Sequence, residues 1–320
     1  MLTGDDGQGN PSSTTTNNNK ILRNEFIDNG DGLELTRGAA FNLVADNVFR
    51  STAANPEPSQ GIEILRGNDN VVSGNRFEGY SDGLQINWGD RNYIAANTFT
   101  GNTFGLNLTG VGNVVDGNTI AGNRIGVVVR PADPVPMVRI TKNRIFDNTA
   151  AIRRCEAGGT CDPAAPTGAM VFGLPGLEHE SFNGSRGRGV AVNPATILYI
   201  CPTHAPQCQG EPNPGTARPV LTAATLADEL VVVTGRLAAT ANTRYQVEVF
   251  GTARASATDA DVVLDDITVA TNDRGDATFT LRLDRRRLTG LRSLTATATS
   301  AAGATSPFSA PLQLPALISR

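Results

Sequence analysis

The sequence predicts an all-β chain in two parts, a solenoid of stacked coils followed by an antiparallel β-sandwich. Three observations carry that reading: a repeated Asn-centred segment, a short apolar strand following a glycine in each repeat, and a change to longer alternating strands after Pro219. Composition agrees. Of 320 residues, 39% are hydrophobic but only 5% aromatic, with 34 Gly and 18 Pro. Such a mixture favours many short strands joined by turns.

The repeat comes first because a fixed period decides the architecture. NKILRNEF, NLVADNVF, NVVSGNRF, NYIAANTF, NVVDGNTI and VRITKNRI share one frame. Their last asparagines are Asn24, Asn47, Asn75, Asn97, Asn118 and Asn143, at steps of 23, 28, 22, 21 and 25 residues. Each unit adds a second short strand: GLEL, GIEI, GLQI, GLNL or GVVV. Two strands and their turns cannot bury a face alone, so the units are expected to stack, pairing backbone to backbone. Leu33 and Leu35, Ile62 and Ile64, and Leu84 and Ile86 then point inward. The six asparagines are expected on turns, in left-handed geometry, bonding one another as a structural ladder.

These units, NxVxxNxF followed by GLxL, resemble those of right-handed parallel β-helix proteins, the pectate-lyase-like superfamily. The regular coils run over about residues 17–154, with an irregular continuation over 155–216, so residues 1–216 form the expected first domain. The resemblance implies a fold much more specifically than an activity, because that superfamily holds polysaccharide lyases, glycoside hydrolases, epimerases, tailspikes and non-catalytic surface proteins. The paired-Asp and GHG/RIK pattern of polygalacturonase-type hydrolases and the DPHE motif of alginate epimerases are absent.

Residues 217–320 form the expected second domain. PVLTAATLADELVVVTGRL, TRYQVEVFG, DDITVATNDRGDATFTLRL and SLTATATSAAGATSPFSAPL alternate apolar and polar residues between turns, the pattern of an Ig-like sandwich. They resemble the C-terminal β-sandwich that follows β-helices in bacterial exported and surface proteins. Arg274, Gly275 and Asp276 spell RGD within a hairpin turn, which turn chemistry explains.

Stacking turns sequence positions into outer columns about 4.8 Å apart per rung. One column holds Glu34, Glu63, Gln85, Asn107 and Val128; two residues on lie Thr36, Leu65, Asn87, Thr109 and Arg130; the next column holds Arg37, Arg66 and Trp88. Glu34 and Glu63 with Arg37 and Arg66 are the catalytic candidates, as a retaining carboxylate pair or as a lyase site that calcium would assist. Trp88, Gln85, Asn87, Asn107 and Thr109 are the candidate ligand strip, an aromatic face beside amides suited to sugar hydroxyls. With no sharper motif present, the expectation is a non-catalytic extracellular or cell-surface protein whose outer solenoid face binds carbohydrate. The alternative is a polysaccharide lyase or glycoside hydrolase acting on an acidic polysaccharide.

Net charge is −4 and no basic cluster occurs, so nucleic acid is not an expected partner. No apolar run approaches the ~20 residues of a membrane span, and the start lacks the features of a signal peptide. Cys155 with Cys161 and Cys201 with Cys208 form two local pairs suited to disulfides in an exported protein; a zinc set including His204 matches no strong spacing signature. No metal or other cofactor is otherwise expected, and the sequence does not specify an oligomeric state.

Overall fold

A computed structural model describes residues 1–4, 16–148 apart from 131 and 133, 213, and 216–315 apart from 256. It also describes the backbone of 154–155, 161–162 and 197–199. Each full coil contributes three strands, not the two expected, and the coils stack into three parallel sheets. Sheet A runs through Asp31–Thr36, Gln60–Leu65, Asp82–Asn87, Phe104–Leu108 and Ile125–Val129, with Leu2–Thr3 and Ile197–Tyr199 at its edges. The other two sheets divide between them the segment read from sequence as one strand, as in Leu43–Ala45 and Val48–Arg50.

The division has a backbone cause. The residue before each ladder asparagine is left-handed: Arg23, Asp46, Gly74, Ala96, Gly117 and Lys142 have φ between 55° and 69°. A strand cannot continue through such a residue, so the chain turns there. The asparagines themselves are not left-handed, a correction to the expected geometry; their part is to bind the next coil. Asn75 Nδ2 and backbone N–H both donate to Asn97 Oδ1, at 3.0 and 2.9 Å, and Asn97 repeats the pattern to Asn118. The six expected members form one continuous ladder from Asn24 to Asn143. Two more ladders run beside it, Asn19–Asn42–Asn70–Asn92–Asn113 and Asn102–Asn123–Asn148.

Inside, identical positions superpose. Phe26, Phe49, Phe77 and Phe99 stack face to face with centroids 4.6, 4.9 and 4.7 Å apart. Leu35, Ile64, Ile86, Leu108 and Val129 form a second fully buried column.

From Val220 the chain forms two antiparallel sheets, one of three strands and one of four. They pack on the end of the solenoid: Phe250, Ala260 and Phe308 join its core, and Ile145 and Ala260 exchange backbone hydrogen bonds. Asn213 seals the last coil, donating to the carbonyls of Val138 and Thr305 at 2.8 Å. The RGD tripeptide is a turn closed by Asn272, whose Oδ1 accepts the N–H groups of Arg274 and Asp276. The backbones of Cys155 and Cys161 stand opposite each other in a short antiparallel pair. Their side chains, with Cys201, Cys208 and His204, lie outside the described residues, and the disulfide expectation with them. Among the described residues no helix is long and apolar enough to cross a membrane.

Candidate functional site

The expected columns exist on the outer face of sheet A. Glu34 pairs in register with Glu63, Glu63 with Gln85, Gln85 with Asn107 and Asn107 with Val128. Arg37, Arg66 and Trp88 end the strands at left-handed corners, with φ of 34°, 56° and 53°. That conformation is strained for residues of this bulk. The Arg66 guanidinium lies 5.8 Å from the Trp88 ring centre, and Trp88 remains 39% exposed.

Column membership does not reveal depth. Gln85, Asn87, Asn107 and Thr109 are at most 2% exposed, so these amides are a buried network instead of a strip open to solvent. Its deepest member is Asp82, which strict strand alternation would place inside with Leu84 and Ile86. Gly83 breaks the alternation: a Cβ there would meet the Phe99 ring at 2.8 Å, so both Gly83 and Leu84 face the core. Asp82 thereby joins the outer polar face, at 0% exposure. A sequence signal for it exists in the repeated DGLEL, QGIEI and DGLQI, whose first residues Asp31, Gln60 and Asp82 pair in register.

The network closes on itself. Asp82 accepts from Gln85 Nε2 at 2.9 Å and from Asn107 Nδ2 at 3.2 Å. Asn87 Nδ2 donates to Gln85 Oε1 at 2.6 Å and to Glu63 Oε1 at 3.2 Å. Arg130 donates through Nε to Asn107 Oδ1 and through Nη2 to Asn87 Oδ1. Thr109 Oγ1 accepts the Trp88 N–H at 2.7 Å, tying the strained corner to the next coil, which carries Asn107.

Burial dominates the ionisation of the acids. It pushes Asp82 from 3.8 up to about 7, against the lowering effects of Asn107, Arg130 and Gln60, while Glu63 adds to the rise. Glu63 is raised first by burial, and Asn87 opposes this; Glu34 is raised by burial and then by Asp31. The Glu34–Glu63 repulsion expected from their stacking is only a minor cause at Glu63. The arrangement is thus two partly exposed carboxyls, Glu34 and Glu63, on a buried amide–carboxyl–guanidinium network. Carboxyls whose pKa burial raises, with Glu63 held by the Asn87 amide, are suited to proton transfer. Among the described residues no group of three or more His, Cys, Asp or Glu could hold a metal ion.

Comparisons with known proteins bear on what such a face does. The family model described as a right-handed beta helix region matches residues 9–161. A curated relative, the 3-dehydroshikimate dehydratase of Acinetobacter baylyi, is 53% identical over 316 residues, covering 98% of this chain and 63% of the relative. The chain therefore spans somewhat under two thirds of that relative's length. Among solved structures, a tailspike protein 2 from a bacteriophage of Escherichia coli O157:H7 aligns with 94% of this chain and 49% of its own, at 9% identity and a TM-score of 0.28. At that score it carries no argument.

The relative is an enzyme, which overturns the expectation of a non-catalytic protein. That expectation rested on missing polysaccharide-enzyme motifs, and a different chemistry needs a different constellation. Coil-by-coil pairing, the asparagine ladders and the family match agree on one assignment: the chain is a right-handed parallel β-helix repeat protein.

Proposed function

We propose that this chain is a dehydratase acting on 3-dehydroshikimate or a closely similar cyclic hydroxy-keto acid. The observation that carries the reading is 53% identity to a 3-dehydroshikimate dehydratase across nearly the whole chain. The chemistry asks for few parts. The substrate is a ring ketone with a hydroxyl on the β carbon, so a base removes the proton α to the ketone and an acid protonates the departing hydroxyl. A C–H and a C–O bond break, a C=C bond forms and water leaves. A second proton shift, from ring carbon to ketone oxygen, gives the aromatic dihydroxybenzoate.

Glu63 is the base in this proposal, because it is the network carboxyl that keeps some exposure, and its raised pKa strengthens it as a proton acceptor. Glu34, one rung away, is the acid, raised by burial and by Asp31. Arg37 and Arg66 flank the pair and would meet the substrate carboxylate.

The test is direct. The purified chain is incubated with 3-dehydroshikimate, and the aromatic product is followed by ultraviolet absorbance and chromatography. Turnover by the wild type, falling about 10²–10⁴-fold in Glu63→Gln, is expected. No aromatic product under conditions where the Acinetobacter enzyme turns over refutes the reading for this chain.

A further inference from the structure

We propose that Arg130 is a positioning residue: it sets the hydrogen-bonding polarity of Asn87 and Asn107, and through them holds Glu63 and Asp82 in fixed orientation. Its catalytic consequence rests on the dehydratase reading; its structural content does not.

An amide side chain has one accepting and one donating end, and exchanging them costs little unless neighbours forbid it. Here they forbid it at every step. A guanidinium only donates, so Arg130 takes the carbonyl ends of both Asn107 and Asn87. Each amide must then present its NH₂ to the other side. Asn107 delivers it to Asp82, and Asn87 delivers it to Glu63 and Gln85. Gln85, having accepted from Asn87, donates to Asp82. The circuit Arg130–Asn107–Asp82–Gln85–Asn87 is closed, with a cation at one pole and a carboxyl at the other, and Glu63 branches from it. Rotating any one amide would set oxygen against oxygen or N–H against N–H.

The fold explains why arginine stands there. Residue 130 extends the strand Ile125–Val129, its N–H bonding the Leu108 carbonyl at 2.8 Å. Asn107 is on the adjacent coil and Asn87 on the coil beyond, so the side chain spans roughly two rungs of about 4.8 Å. Only a long side chain with a forked head reaches both oxygens; a lysine carries its charge on a single point.

The groups facing Asp82 are Gln60 and Glu63 from one neighbouring strand, Gln85 from its own, Asn107 from the other neighbour, and Arg130. Arg130 is the cation among these, so removing it removes the charge that favours ionised Asp82.

The experiment uses the full chain as wild type, Arg130→Met and Arg130→Lys. The Asp82 carboxyl, assigned with Asp82→Asn, is titrated by ¹³C NMR, and kcat and KM for 3-dehydroshikimate are measured against pH. In Arg130→Met the Asp82 titration is expected to rise by about a unit or more. The limb of the kcat profile that reports it is expected to move the same way. Arg130→Lys is expected to keep the titration near wild type yet lose about tenfold to a hundredfold in kcat, with KM little changed, because charge survives without the fork. An unmoved Asp82 titration in folded Arg130→Met overturns the proposal, as does full kcat in Arg130→Lys. If Arg130→Met does not fold, Arg130→Lys decides alone. If the wild type turns over no 3-dehydroshikimate, the functional reading fails while the titration still tests the network.

Discussion

Truncating one asparagine in the middle of the central ladder should damage the solenoid far more than truncating the same residue at its end. Asn97→Ala removes four hydrogen bonds made by the side chain. Oδ1 no longer accepts from Asn75 N–H and Nδ2, and Nδ2 no longer donates to the Val72 carbonyl or to Asn118 Oδ1. Asn75 Nδ2 keeps bonds to Val44 and Ser73, and Asn118 Oδ1 keeps the Asn97 N–H. The Asn75 N–H loses its acceptor inside a buried stretch, at about 1–3 kcal/mol, and the other three lost bonds add roughly 0.5–1.5 kcal/mol each, so about 2.5–7.5 kcal/mol is expected. Asn24 is exposed on the first coil and, among the described residues, its side chain donates to Leu22 and Asn47, so Asn24→Ala should cost about 1 kcal/mol or less. Urea unfolding followed by far-ultraviolet circular dichroism measures both as shifts in midpoint at constant slope. Equal shifts for the two variants would refute the claim that burial, and not the ladder bond itself, sets the energy.

Perturbations at four further sites separate the remaining claims. Gly83→Ala places a methyl 2.7 Å from the Gly105 carbonyl and 2.8 Å from Phe99, so a loss of about 1–3 kcal/mol and displacement of Asp82 are expected. Gly117→Ala meets nothing within 4 Å and should cost only its left-handed backbone, about 1 kcal/mol; calorimetry on both variants checks the contrast. Phe77→Ala empties the middle of the aromatic stack and should cost about 3–5 kcal/mol in denaturant, whereas Phe77→Leu should retain most of that stability. Glu248 is buried where the sandwich meets the last coil, one oxygen accepting the Lys142 N–H at 3.0 Å and the other without a hydrogen-bond partner among the described residues. Burial, helped by Asp266 and Asp116 against Lys142, raises it from 4.5 to about 7. The folded state therefore holds this proton more tightly, so the stability contribution is complete below about 4.5 and is lost as pH rises to about 7. Glu248→Gln should gain on the wild type by up to about 3 kcal/mol at pH 8 and gain nothing at pH 4. Parallel stability–pH curves for the two proteins would refute it.

What the sequence discloses and what it conceals divide along physical lines. Register is legible, because a glycine and two apolar residues recur at each rung, and the aligned column Glu34–Glu63–Gln85–Asn107–Val128 matches the strand pairing residue for residue. The third strand per coil is concealed. The left-handed corner that creates it is occupied by Arg23, Asp46, Gly74, Ala96, Gly117 or Lys142, and so has no compositional mark. Asp82 is concealed by the alternation rule itself, which Gly83 suspends for one residue. Depth is concealed too, since amides on an outer face read as solvated until their exposure is known. Arg130 is visible in its column, but its reach across two coils belongs to the stacked structure and to no local pattern.

The polar choice on sheet A is not something the fold requires, and that favours placing the chemistry there. One coil onward the Asp82 position is Phe104 and the next is Ile125, while the Gln85 column ends in Val128, all buried and apolar. The same sheet therefore accommodates hydrocarbon where it carries Asp82, Gln85 and Asn107 in neighbouring rungs. A buried charged network is seldom a gain over well-packed apolar residues of similar volume, because desolvation offsets most of the attraction. Elsewhere on the solenoid the described ion pairs are solvent-facing and cheap to keep, as in Arg91–Asp69 and Arg76–Glu78, whose arginines are each 57% exposed. Only at Asp82, Gln85, Asn87, Asn107 and Arg130 do the described residues of these coils join ionisable side chains and amides into a closed and largely buried ring. Replacing that ring by apolar residues should leave folding intact or improved while abolishing turnover. The combined variant Asp82→Ile, Gln85→Val, Asn87→Val, Asn107→Val, Arg130→Met tests this by thermal unfolding beside activity. A stable, folded variant that still converts 3-dehydroshikimate at the wild-type rate would move the chemistry off sheet A.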